Sequence, residues 1–234
     1  MDAVGIPQGD GGMGRAVTGQ GKEARERIMG DADVCGILGR PHWVFDLDGT
    51  LTVPVHDFAA IRADLGIPAG VDILGYIASL PGGEARRLHR RLDEIEEELA
   101  GKAEPSAGAV RLVEALHRRG KNLGIVTRNT RQIALRVLET IGVGGRFAPA
   151  DVLGRHDALP KPDPHGLAIL SARWGASGSS MVMVGDYLFD LQSGRACGAA
   201  TVHVDRSRGF RWPELTDIAV ESLAELAEMV GRAG

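Results

Sequence analysis

From Pro41 onward, short apolar runs alternate with amphipathic stretches, the pattern of a parallel sheet covered by helices. The apolar runs predict strands over 43–47, 123–126, 151–153, 181–184 and 201–204. Between and after them, helical periodicity predicts helices over 105–119, 130–141, 164–174, 187–197 and 221–230. Residues 51–104 break the alternation, because they hold three helix-like pieces and no strand, far more than one crossover requires. The expected fold class is therefore α/β: a core from 41–52 and 105–234, with a small all-helical domain of residues 53–104 inserted after the first strand.

The longest predicted helix of the insert, 83–99, places Arg86, Arg87, Arg90 and Arg91 before Asp93, Glu94, Glu96, Glu97 and Glu98. That order opposes the helix macrodipole by roughly 0.3 to 1 kcal/mol per misplaced charge, and pairs such as Arg90 with Glu94 recover only a few tenths. The stretch reads either as a solvated outer face or as a basic patch that meets a substrate or partner.

Residues 1–40 carry ten of the 33 glycines and none of the ten aromatics, too little apolar surface to offset the entropy of ordering them. They read as a flexible glycine-rich arm, with room for a short helix over 22–29. Two phosphate-loop look-alikes inside it fail on context. No apolar strand precedes Gly9, Gly11 and Gly14, while the stretch Thr18 to Lys22 has Ala16 where the first glycine belongs and Glu23 where a metal-binding hydroxyl belongs.

Composition narrows the function classes. With 44% apolar and 25% charged residues and a formal charge of −4, the chain can close one sizeable core, and its interspersed charges do not suit a protein that grips phosphate backbones, so no nucleic-acid partner is expected. No basic leader precedes an apolar run, and no stretch approaches the ~20 apolar residues of a spanning helix, so the expectation is a cytoplasmic protein with no membrane partner. Cys35 and Cys197 have no companion at metal-site or redox spacing. The 27 basic residues divide into 23 Arg and 4 Lys, which makes each lysine worth locating.

The chemistry gathers where predicted strands end. The first runs into Asp46-Leu47-Asp48-Gly49-Thr50, the second into Thr127 and the fourth into Gly185-Asp186, with Asp190 four residues later. Lys161 stands in a Pro-Lys-Pro-Asp-Pro loop. In an open parallel sheet, ligands bind beyond the carboxyl ends of the strands. Three carboxylates, Asp46, Asp48 and Asp186, cannot all stay ionised in a dry site beside one lysine, and a hard divalent cation, Mg²⁺ for oxygen-only ligands, resolves the repulsion. A phosphoryl group, with charge spread over its oxygens, suits the same cluster, with Lys161 as a flexible point charge and Thr127 as a hydroxyl donor.

In this chain order, the DLDGT run, Thr127, Lys161 before proline and the GD-x₃-D run resemble the four motifs of the haloacid dehalogenase-like (HAD) superfamily, over about residues 41–231. The insert between the first and second motifs resembles the small helical cap of the subfamily that includes phosphoglycolate phosphatases. Only 33 residues separate Thr127 from Lys161, too few for a cap there. The resemblance implies a Rossmann-like core and a Mg²⁺-dependent phosphatase acting on a small phosphorylated metabolite, a phosphoglycolate-like acid or a sugar phosphate, through an aspartyl-phosphate.

Carried over by motif, the resemblance makes Asp46 the nucleophile and Asp48 the general acid and then base. The metal would take the carboxylates of Asp46 and Asp186 and the main-chain carbonyl of Asp48. Thr127, with Arg128 beside it, and Lys161 would hold the phosphoryl oxygens. Asp190 would orient Lys161 or metal-bound water, or would merely cap a helix. Dehalogenases and phosphonatases of the group lack the second carboxylate, so Asp48 points to phosphate esters. A phosphomutase or phosphotransferase, or a non-catalytic phosphate-binding regulator, uses the same residue types, and a monomer or a homodimer would serve.

The continuation Leu51 to Asp57 departs from the acidic residue and serine common in phosphoglycolate-type relatives, which leaves the substrate open. His56 and Asp57 would reach the leaving group or cap the first cap helix. Arg206, Arg208 and Arg211 follow the last predicted strand and would attract an anion or lie on the surface.

Overall fold

The computed structural model describes residues 17–31, 33–54 and 57–233. In chain order the elements are α1 (Val17–Asp31), α2 (Val34–Gly39), β1 (His42–Phe45), α3 (Phe58–Leu65), α4 (Ile73–Ala78), α5 (Gly82–Ala100), α6 (Ala109–Arg118), β2 (Asn122–Val126) and α7 (Arg131–Thr140). They continue with β3 (Val152–Leu153), α8 (His165–Arg173), β4 (Met181–Gly185), α9 (Leu188–Cys197), β5 (Ala200–Val204), β6 (Ile218–Val220) and α10 (Leu223–Arg232).

The six strands form one sheet in the order β3-β2-β1-β4-β5-β6, and every pairing is parallel. Alternation along β1 covers both faces. Trp43 and Phe45 join the larger cluster with Leu112 and Leu116 of α6, Leu138 of α7 and Leu226 of α10, whereas Val44 turns to Leu167 and Leu170 of α8. This is the expected α/β sheet with helices on both faces. The sixth strand was not expected, because its three apolar residues fall short of the four to eight that mark a strand by pattern. Pairing with β5 supplies what the local pattern does not.

Between β1 and β2 the chain is helical, and α3, α4 and α5 close an apolar cluster of their own around Ile61, Ile73, Ile77, Leu88 and Leu92. The start of α3 is capped by Asp57, whose carboxylate accepts from the backbone of Ala59 and Ala60 at 3.0 and 2.9 Å. Of the two readings for Asp57, the structure therefore shows the cap; His56 lies outside the described residues.

The acids in the second half of α5 have partners on the core. Arg155 is only 5% exposed at its side chain and pairs with Glu96 at 2.9 Å and with Asp93, while Arg136 of α7 pairs with Glu97 at 2.9 Å. These contacts offset the unfavourable order along the helix dipole, whereas Arg86, Arg87 and Arg90 stay exposed. Arg155→Met should cost about 3 kcal/mol in urea unfolding, because it removes the cation beside the buried Glu96, and adding Glu96→Leu should recover most of the loss. An unchanged midpoint in the single variant would show that the pair holds nothing.

The reading of residues 1–40 as a flexible arm is corrected over the part described. Helix α1 extends well beyond 22–29, and α2 inserts Ile37 and Leu38 into the main core. Ile28 packs on Ala219 of the edge strand β6 and on Phe210 of the loop before it, and Arg25 pairs with Glu221 and Glu225. Helix stability here comes from tertiary docking, which local glycine content does not reveal. Gly9, Gly11 and Gly14 lie outside the described residues.

Candidate active site

The carboxyl ends of β1, β2 and β4 form a floor. Asp46 follows β1 and extends its ladder, its N–H donating to the Val184 carbonyl at 2.9 Å. Thr127 follows β2, with its N–H on the Leu153 carbonyl at 3.0 Å. Asp186 follows β4, and Lys161 arrives on the loop between β3 and α8.

The lysine is buried between two carboxylates. Its Nζ donates to Asp46 Oδ1 and to Asp190 Oδ1, each at 2.6 Å. Burial works against its charge, but Asp190 and Asp46 outweigh it and hold the ammonium above its ordinary value. Asp190 also accepts from the Tyr187 N–H at 3.1 Å, so one residue caps the start of α9 and anchors the lysine. Of the sequence readings of Asp190, the contact with Lys161 and the helix cap are both present.

Two glycines admit this crowding. Gly49 sits at φ +89°, and a Cβ there would lie 2.5 Å from Asp186 Oδ2. Gly185 does not need a left-handed turn; a Cβ on it would lie 2.2 Å from the Asp190 side chain. Its role is space rather than conformation.

The remaining carboxylates are strained by burial. Asp48 is pushed up to about 7, first by burial and then by the charge of Asp46, although Asn129 donates to its Oδ2 at 2.7 Å. Asp186 is pushed up to about 7 for the same two reasons, against a hydrogen bond from Thr50 Oγ1 at 3.2 Å. Asp190 is pushed up to about 6 by burial, against the pull of Lys161, which leaves that pair ionised at neutral pH. Behind Asp186, buried His203 hydrogen-bonds its backbone, and burial holds the imidazole below its ordinary value.

Ligand oxygens of Asp46, Asp186 and Asp190 all lie within 4.8 Å of one another. The Asp48 carboxylate is outside that group and engages Asn129 instead, which leaves its main-chain carbonyl as the atom that the sequence reading offered to a metal. A compact set of oxygen donors, with burial and mutual repulsion raising Asp186 and Asp190, fits a hard divalent cation.

A cavity of about 440 Å³ stands over this floor. Asp46, Asp48, Thr127, Arg128, Lys161, Asp186 and Asp190 all line it, while the roof comes from α3, the start of α4 and α5. Arg128 turns toward the roof, its Nη2 donating to Asp72 Oδ1 at 2.8 Å. The structure does not bring the later arginines to the cavity. Arg206 donates to Ser106 Oγ at 2.6 Å, Arg208 pairs with Glu221 at 2.8 Å, and Arg211 lies over Trp212 at 5.0 Å.

Asn129 was missed in the sequence, and Thr50, quoted within DLDGT, was given no role there although its hydroxyl meets Asp186. Asn129 stands two residues past Thr127, and a polar residue that close to a strand end is the signal that would have found it.

Residues 42–198 match the family model of haloacid dehalogenase-like hydrolases. An uncharacterized hydrolase of Saccharomyces cerevisiae is 31% identical, over 83% of this chain and 94% of its own. The N-acetylmuramic acid 6-phosphate phosphatase of Pseudomonas aeruginosa is 28% identical over 81% and 94%, and the phosphoglycolate phosphatase of Thiobacillus denitrificans 29% over 81% and 95%. In fold, the chain is similar to a hydrolase of Pseudomonas syringae, with a TM-score of 0.68, 23% identity and coverage of 82% and 99%. Among the described residues no helix is long and apolar enough to cross a membrane.

Proposed function

The chain belongs to the haloacid dehalogenase-like hydrolases, and from that membership we propose that it is a Mg²⁺-dependent phosphatase of a small phosphorylated metabolite, working through an aspartyl-phosphate on Asp46. The observation that carries the reading is the buried Asp46 carboxylate, held by Lys161 at 2.6 Å on the floor of the cavity, beside an Asp48 carboxyl that burial and the charge of Asp46 push up to about 7. Two of the relatives are named as phosphatases, which supports the same reaction class.

In this reading the Asp46 oxygen attacks phosphorus while Lys161 and Thr127 draw negative charge from the phosphoryl oxygens. Asp48, raised by burial, donates its proton to the leaving alkoxide, and its carboxylate then takes a proton from the water that opens the aspartyl-phosphate. Asn129 keeps that carboxyl directed at the reacting centre. Asp46, Asp186 and the Asp48 carbonyl would hold Mg²⁺, with Asp190 near enough to support it. The metal, when bound, supplies charge neutralisation for the phosphoryl group.

The linkage has a definite sign. A carboxyl whose folded value is raised is protonated in the folded protein and ionised in the unfolded chain between the two values, so stability falls as pH rises through that window. For Asp48 and Asp186 the window runs from about pH 4 to about 7, and for Asp190 from about pH 4 to about 6. Metal-free protein should therefore melt lower at pH 8 than at pH 5.5. Saturating Mg²⁺ should raise the melting point at pH 8 by about 5 °C or more and by much less at pH 5.5, where protons compete. Phosphate release from an aryl phosphate should vanish with chelator and return with Mg²⁺. Release that is indifferent to chelation would overturn the metal assignment.

A further inference from the structure

Resting on the phosphatase reading, we infer that the cavity is built for a phosphomonoester whose leaving group is a sugar-sized ring bearing a carboxylate, with Phe58 and Tyr187 holding the ring and Arg62 the carboxylate. The relatives named as phosphatases do not agree on leaving-group size, since glycolate has two carbons and N-acetylmuramic acid a pyranose ring. The cavity favours the larger of the two. At about 440 Å³ it falls in the range of pockets that enclose drug-sized ligands, ~300 to 1,000 Å³, and a two-carbon acid would leave most of it unfilled.

Its lining is specific as well as roomy. The chain has ten aromatic residues, and three of them, Phe58, Tyr187 and Phe189, line this cavity. Among the described residues the exposed large apolar side chains include two aromatics, Phe58 at 55% and Tyr187 at 43%, and both face it. Tyr187 is braced edge-on by Phe189 at 5.2 Å and by Trp212 at 5.6 Å between centroids, so one aromatic wall is fixed on the core while Phe58 comes from the roof. Two partly exposed aromatic side chains lining one cavity, one from the core and one from the roof, suit a ring, which offers flat apolar C–H surface.

The charge in the roof is equally selective. Phe58 and Arg62 stand one turn apart on α3 and line the cavity together. The neighbouring Arg128 has its guanidinium on Asp72, and the acidic Glu96 of the roof pairs with Arg155. Arg62 has no ion-pair partner among the described residues; it is half-buried and shares the cavity wall with apolar Ile61 and Ile73. An unmatched guanidinium in such a wall calls for an anion on the ligand, and its planar fork matches a carboxylate.

The test uses the full chain with Mg²⁺ and a matched pair of substrates. N-acetylmuramic acid 6-phosphate and N-acetylglucosamine 6-phosphate share the ring and differ by the lactyl carboxylate; phosphoglycolate has the carboxylate without the ring, and acetyl phosphate needs neither. The expected order in kcat/KM is the acid sugar at least about tenfold above the neutral sugar, with both above phosphoglycolate. Arg62→Gln should bring the ratio of acid to neutral sugar to about one, and Phe58→Ala should bring the ratio of neutral sugar to phosphoglycolate down by about tenfold. Both side chains are at least partly exposed, so the variants are expected to fold. Phosphoglycolate as the best substrate, or an unchanged acid-to-neutral ratio in Arg62→Gln, overturns this inference and leaves the phosphatase reading standing. No turnover of acetyl phosphate or of any ester by wild-type protein overturns both.

Discussion

Asp46→Asn is expected to lower Mg²⁺-dependent hydrolysis of an aryl phosphate by at least about 10⁴-fold while the protein stays folded. The amide is nearly the same shape as the carboxylate, but it is not a nucleophile toward phosphorus, and no neighbouring carboxylate takes its place. Asp48 is engaged by Asn129, Asp186 by Thr50, and Asp190 by Lys161 and the Tyr187 backbone. Stability should survive because two effects oppose each other. Lys161 loses one of its two charged partners but keeps Asp190 at 2.6 Å. Asp48 and Asp186, raised by burial and next by the charge of Asp46, are relieved of that second contribution. Steady-state rates and a circular-dichroism melt on the same sample separate the two results. Activity within tenfold of wild type, in a protein with an unchanged melt, would remove Asp46 from the chemistry.

How much of this was visible before folding varied with the range of the interaction. The motif residues that gather on the floor sit at strand ends, and a parallel sheet lines up its strand ends on one rim, so Asp46, Thr127 and Asp186 follow from the apolar pattern plus one topological rule. Gly49 answers to its own backbone, at φ +89°, whereas the need for Gly185 lies in the side chain of Asp190, which no local pattern shows. Arg128 shows the limit more sharply. Its place beside Thr127 suggested phosphate, but Asp72, 56 positions earlier, reaches it from the roof, and no local pattern announces such a pair. The charge order of α5 puzzled for the same reason, since Arg155 and Arg136 that answer its acids lie on the core. The docking of α1 and α2 was hidden by glycines that say nothing of what the flanking Ile28, Ile37 and Leu38 will meet.

Asp48→Asn should behave unlike Asp46→Asn, and the difference carries the covalent route. In wild type, burial and the charge of Asp46 push the Asp48 carboxyl up to about 7, which suits a group that must first give a proton and then take one. Asparagine can do neither. A poor leaving group such as a sugar alkoxide then loses its proton donor, so turnover should fall by about 10² to 10⁴-fold. A good leaving group such as dinitrophenolate needs no proton, and Asp46 should still be phosphorylated at a useful rate. The second step fails for every substrate, because the water has no base, and the phosphorylated protein should accumulate. Intact-protein mass after brief mixing with dinitrophenyl phosphate and Mg²⁺ should therefore show the added phosphoryl group in Asp48→Asn and none in the double variant with Asp46→Asn. A mass gain that survives removal of Asp46 would move the acceptor elsewhere, and no gain in any variant would favour direct attack by water. The hydrogen bond from Asn129 sharpens the same point. It holds the asparagine amide where the carboxyl stood, so a stalled intermediate would report lost proton transfer rather than a collapsed site.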